Sequence, residues 1–124
     1  MTDAKSPVNE LPAETLNLIL SHLPIELTFT DEHDIIRFYT ENKNPIFEKS
    51  PDIVGTSVVD CHTSSKAIVQ QLLDDFRSGK RSAFLATSVV SGRVILERYI
   101  AVRNEAGNYV GTLEIVQDIG SAEE

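Results

Sequence analysis

The spacing of hydrophobic and polar positions along the 124-residue chain changes several times, and each change marks an element. Leu16, Ile19, Leu20 and Leu23 recur at helical spacing between Pro12 and Pro24, which predicts a short amphipathic helix over residues 11–23. From Ile25 the period is two. Ile25, Leu27 and Phe29 share one face and Glu26, Thr28 and Thr30 the other, the alternation of a half-buried strand. Asp31-Glu32-His33-Asp34 supplies turn formers, and a second alternating run follows with Ile36 and Phe38 on one face, so the pair predicts a hairpin. Residues 41–60 hold Pro45, Pro51 and Gly55 with no sustained period, which reads as short helical turns and loops. Thr63, Ser64 and Ser65 then offer N-cap oxygens to a helix over residues 64–78. Its apolar stripe is Ile68, Val69, Leu72, Leu73 and Phe76, and it stops at Gly79. Three extended runs close the chain, Ser82–Val90, Arg93–Arg103 and Tyr109–Ile119, with Ser91-Gly92 and residues 104–108 between them. Residues 1–10 and 121–124 read as polar tails. The sum is an α+β fold, one antiparallel sheet with a helical layer.

Charge and composition narrow the function classes. Lys and Arg number 11 against 19 Asp and Glu, a net charge of −8, which argues against a nucleic-acid partner. With 41% apolar and 24% charged residues the chain falls among globular proteins, and its length suits one compact domain. The single cysteine, Cys61, can form neither an internal disulfide nor a thiolate cluster, and points to a reducing, cytoplasmic setting. No apolar run reaches the roughly 18 residues of a membrane span, and the start, MTDAKSPVNE, lacks the layout of a signal peptide. Neither a membrane nor an export route is expected.

Three segments carry more specific information: LPIELTFTDEHDIIRFYTE at 23–41, GTSVVDCH at 55–62 and LERYIAVRNEAGNYVGTLEIVQDIG at 96–120. With the order of elements, they resemble the PAS domain, a small ligand-holding sensor fold. Within it they are similar to the branch often found beside hemerythrin-like domains in bacterial proteins. The resemblance spans residues 11–120. It implies a five-stranded antiparallel sheet with a helical layer on one face, and a flanking helix at 11–23. It further implies a sensory module holding a small molecule between sheet and helices, a homodimer formed through the N-terminal helix, and a downstream signalling partner that the residues do not identify. The chain has no room for a hemerythrin-like segment, so a stand-alone sensor is expected. Thr63-Ser64-Ser65 follows His62 where the branch usually has two prolines, Ser57 stands near a frequent basic position, and Asn104 replaces a usual aspartate.

Candidate chemistry centres on a few residues. Cys61-His62 stands where the irregular segment meets the long helix, a position that edges the cavity in PAS folds. A cysteine near a helix N-terminus and an imidazole gains thiolate character, whereas a buried lone cysteine is a small hydrophobe. A flavin adduct is not expected, because light-sensing relatives carry cysteine in an asparagine-cysteine-arginine-phenylalanine run and this chain has Val59-Asp60-Cys61-His62-Thr63. Residues 64–78 offer no histidine to a haem iron, which leaves His22, His33 and His62, with His62 the axial candidate if a haem or redox sensor is the correct alternative. Arg98 shares a strand face with Val94, Leu96, Ile100 and Val102. If that face lines the core, the guanidinium needs a carboxylate, supplied by a ligand's acid group or by Glu114 or Asp118. The candidate ligand-binding residues are therefore Arg98, Cys61, His62, Tyr99 and Phe38. Asp74 and Asp75 read as solvent-facing helix residues. No nucleophile elbow, phosphate-binding glycine loop or HExxH occurs, so an enzyme is not expected, and a ligand-free interaction domain is the remaining alternative.

Overall fold

The computed structural model describes residues 10–61 and 65–122. It opens with helix α1, Ala13–Ser21, between the two prolines that bracket the pattern. Strands β1 (Glu26–Asp31) and β2 (Ile36–Tyr39) form the expected hairpin. Its turn is fastened by Asp31, whose carboxylate accepts the His33 and Ile35 N–H groups at 2.8 and 3.1 Å and the Arg37 Nε at 2.6 Å. Burial raises the Asp31 pKa, but the Arg37 guanidinium and the two amides outweigh it and hold the carboxyl below its usual range.

The irregular middle contains single 3₁₀ turns at Pro51–Ile53 and Val59–Cys61. Helix α2, Lys66–Ser78, follows and ends at Gly79, whose φ of 83° is the left-handed conformation glycine adopts without strain. Ser65 occupies its N-cap position without a side-chain capping bond, while Thr63 and Ser64 lie outside the described residues. Leu72, Leu73 and Phe76 of the expected stripe are buried, but Ile68 is 70% exposed. Asp75 corrects the solvent-facing reading. It is buried, accepts the Gln71 Nε2 at 2.8 Å and lies 3.8 Å from the Arg81 Nε, while Asp74 remains exposed.

Strands β3 (Ala83–Val90), β4 (Arg93–Arg103) and β5 (Tyr109–Ser121) form the meander. The five strands lie in the order β2-β1-β5-β4-β3, all antiparallel, so the last strand of the chain takes the central position between β1 and β4. Gly111 makes this closure possible, because a Cβ there would run into the Thr30 carbonyl and the Phe29 ring.

Register defines the two faces of the sheet. One transverse row runs Thr28, Glu114, Tyr99, Phe84, and the next Glu26, Val116, Glu97, Ala86. These rows face α2 and the irregular middle, and the core of Ile36, Leu72, Leu73, Phe76, Ile95 and Val116 gathers there. The opposite face carries the row Leu27, Ile115, Arg98, Leu85. A half-buried strand with the pattern of β1 is expected to turn its apolar set inward. Instead Glu26, Thr28 and Thr30 are buried, and Leu27 and Phe29 are only half-buried on the outside. Among the described residues, no buried side-chain nitrogen or oxygen lacks a hydrogen-bond partner, so the inverted face incurs no orphaned polar group.

Candidate ligand cavity

Between the inner face of the sheet and the helical layer lie two chambers that share Val58, Glu97 and Glu114. The smaller, of about 220 Å³, is walled by Val69, Leu72 and Leu73 of α2 and by Thr30, Phe84, Tyr99 and Thr112 of the sheet. The larger, of about 680 Å³, is walled by Thr28 and Ile36 on one side and by Phe47, Lys49 and Ile53 on the other. Mostly apolar walls with a few convergent polar groups are the usual make-up of a small-molecule site.

The polar groups are ordered by the strand register. Tyr99 and Glu114 are direct cross-strand neighbours, and the Tyr99 hydroxyl donates to the Glu114 Oε2 at 3.0 Å. Burial, and then the negative charges of Glu114 and Glu97, push the Tyr99 pKa far above its ordinary value, so the phenol stays protonated as a donor. Its ring lies 6.1 Å from that of Phe84, which holds the phenol against the wall.

A second polar cluster includes Phe47 and Lys49, two residues of the larger chamber's wall. The buried Glu26 carboxylate accepts the Ile46 N–H at 2.5 Å and the Phe47 N–H at 3.4 Å, and the Lys49 Nζ lies 3.7 Å from its Oε1. Asn42 donates to the Ile25 carbonyl at 3.0 Å and accepts the Thr40 hydroxyl at 2.7 Å. Residues 42–49 are thereby pinned to the start of β1, a few residues after α1, although they have no regular secondary structure.

This architecture agrees with comparisons against known proteins. The PAS domain family model matches residues 16–120. The chain belongs to the PAS domain family. The crystal structure of a C-terminal domain from Streptococcus mutans is similar at 35% identity with a TM-score of 0.81, over 88% of this chain and 86% of that one. Two further structures share the PAS fold. The PAS domain from Bordetella pertussis BvgS has 13% identity, a TM-score of 0.67 and coverage of 89% and 88%. A sensory box sensor histidine kinase from Vibrio cholerae has 15% identity, a TM-score of 0.60 and coverage of 85% and 89%. No match is found among curated proteins.

Of the residues expected to bind a ligand, this PAS domain brings Tyr99 to the cavity. Arg98 is exposed on the outer face, in register with Ile115 and Leu85. Neither expected partner reaches it, since Asp118 is 3.1 Å from the Arg93 guanidinium and Glu114 takes the Tyr99 hydroxyl. The reason is parity: Glu97 and Tyr99 point inward, so Arg98 between them points out. Phe38 pairs with Phe29 on that outer face. Cys61 ends a 3₁₀ turn, and His62 lies outside the described residues. Glu26, Lys49, Glu97 and Glu114 were missed as candidates. For the three glutamates the signal was present as polar residues at alternating positions of β1, β4 and β5, the strands flanked on both sides, whereas Lys49 lies in a segment without a period. Among the described residues, no group of three His, Cys, Asp or Glu is arranged to hold a metal ion.

Proposed function

We propose that this PAS domain is a sensory module that holds a small molecule in the twin-chambered cavity between its sheet and its helical layer. The observation that carries this reading is the cavity itself, with apolar walls on α2 and the irregular middle and a polar floor of Glu97, Tyr99, Thr112 and Glu114. A signal requires that occupancy favour one arrangement of the chain over another. The segment best placed to respond is 42–49, because Phe47 and Lys49 wall the larger chamber while Glu26 and Ile25 tie the same segment to the α1–β1 junction. In this reading α1 passes the change to a second copy of the chain. The helix has no buried residue, and Leu18 and Ile19 are 59% and 48% exposed, which supports it as a contact surface.

Native mass spectrometry of the freshly purified protein, with an absorption spectrum of the same sample, tests the reading. The expected result is a colourless dimer whose protomers carry a small molecule, and Leu18→Glu with Ile19→Glu returns a folded monomer. A bare protomer that binds nothing from a metabolite panel would leave a ligand-free interaction domain as the function. A visible chromophore would instead favour the haem or redox reading.

A further inference from the structure

The chemistry of the cavity also selects its ligand, an inference that rests on the reading that the chambers hold one. The ionic groups that the sheet presents to both chambers are the carboxylates of Glu97 and Glu114. Lys49 in the larger chamber is directed to Glu26, at 3.7 Å, and Arg98 lies on the opposite face of the sheet. The described residues of the smaller chamber include no lysine or arginine. Glu114 lines both chambers and uses its Oε2 to accept the Tyr99 hydroxyl, a contact that engages one of its two carboxylate oxygens. The opposite wall of that chamber, Val69, Leu72 and Leu73, is apolar.

We infer that the ligand is an organic cation, an amine with an apolar body, whose ammonium group docks on Glu114 while its hydrocarbon part lies against α2. An N–H donor bearing positive charge is what an oriented carboxylate in a partly dry cavity binds best, because charge-assisted hydrogen bonds gain strength as water is excluded. A ligand with an acid group is the opposite case. Its carboxylate would face Glu114 and Glu97 with the Arg98 cation on the far side of the backbone, and like charges close together in a low dielectric are strongly unfavourable. This reverses the acid-bearing ligand that Arg98 suggested in the sequence.

Three probes of matched length and different charge test the inference: hexylamine, hexanoate and 1-hexanol. Each is titrated into the whole chain at pH 7 and low salt by calorimetry and by amide chemical shifts. Hexylamine is expected to bind roughly tenfold or more tighter than either of the others, the scale of one charge-assisted hydrogen bond. Its shifts should cluster on residues 112–116 and on α2. Glu114→Gln keeps an acceptor for Tyr99 and nearly the same shape, so it should fold, keep its affinity for hexanol and lose the preference for the amine. Equal or tighter binding of hexanoate or hexanol would overturn the cationic assignment and leave the cavity reading standing. An amine preference that survives in Glu114→Gln would overturn the role of Glu114. If none of the three probes binds and the purified protein is bare, the cavity reading fails and the inference falls with it.

Discussion

On the inner face of the sheet Glu26, Thr28, Thr30 and Thr112 are buried, whereas on the outer face Leu85 and Val89 are 56% and 64% exposed. The two faces have the same period and opposite fates. Burial of an apolar face against a helix is the ordinary solution for a sheet, since each buried aliphatic side chain contributes about 1.5–3 kcal/mol. Here most of that burial is concentrated in a few places, Ile36, Ile95 and Val116 from the sheet and Leu72, Leu73 and Phe76 from α2. Between Phe84 and Ala86 at one edge and the β1 hairpin, the inner face carries polar groups, and the buried ones among the described residues have hydrogen-bond partners. These carboxylates and hydroxyls border open volume, which is the observation on which the proposed ligand site rests. The outer face carries Arg98 in register between Ile115 and Leu85.

The sharpest way to break the contrast is to substitute within the apolar part of the inner face. Ile95 is 1% exposed, so Ile95→Ala should cost about 2–5 kcal/mol in a urea unfolding experiment, the range for a cavity in a packed core. A value near that of an outer-face substitution would show that the inner face is not the core. Next comes the polar part. Glu26→Ala removes the acceptor of the Ile46 and Phe47 amides and the partner of Lys49, and should cost about 2–3 kcal/mol because buried donors are left unpaired. Hydrogen exchange should then rise at residues 42–49. Unchanged exchange there would remove the pinning role assigned to Glu26.

The turn at the end of β1 gives a smaller effect with a definite pH signature. Because Asp31 is held below the ordinary carboxylate range in the folded chain, its ionised form stabilises the fold at neutral pH. That contribution is present above the unfolded pKa and disappears as pH falls through the lower folded value. The stability difference between the wild type and Asp31→Asn should therefore be about 1–2 kcal/mol at pH 7 and shrink below about pH 4. A difference that grows in acid would contradict the assignment. The smallest effect belongs to Arg98→Ala on the outer face, expected within about 0.5 kcal/mol of wild type and without effect on a cavity ligand. Loss of ligand in that variant would return Arg98 to the site.

How far the cavity was legible differs from residue to residue. Tyr99 is an expected ligand residue and lines it, whereas the expectation for its neighbour Arg98 depends on the condition that the face it shares with Val94, Leu96, Ile100 and Val102 lines the core. The condition is not met, because here the apolar set does not mark the inside. The strand period correctly grouped Glu97 with Tyr99, and Glu26 with Thr28 and Thr30, yet grouping does not say which group faces the helices. Lys49 was illegible for another reason: it belongs to a segment with no period, placed by Glu26 across twenty-three positions of sequence.

The chain by itself determined the elements and their order, with ends within about two residues: the prolines around α1, the turn formers of the hairpin, the stripe of α2 that stops at Gly79, and the three strands of the meander. These follow from local spacing and local backbone preference, which every residue expresses wherever it sits. Only the tertiary structure decided that β5 enters the middle of the sheet, that the polar face turns inward, and that Glu97 and Glu114 meet over one cavity. Those outcomes depend on pairings between residues far apart in sequence, where a shift by one position exchanges every side chain between the two faces.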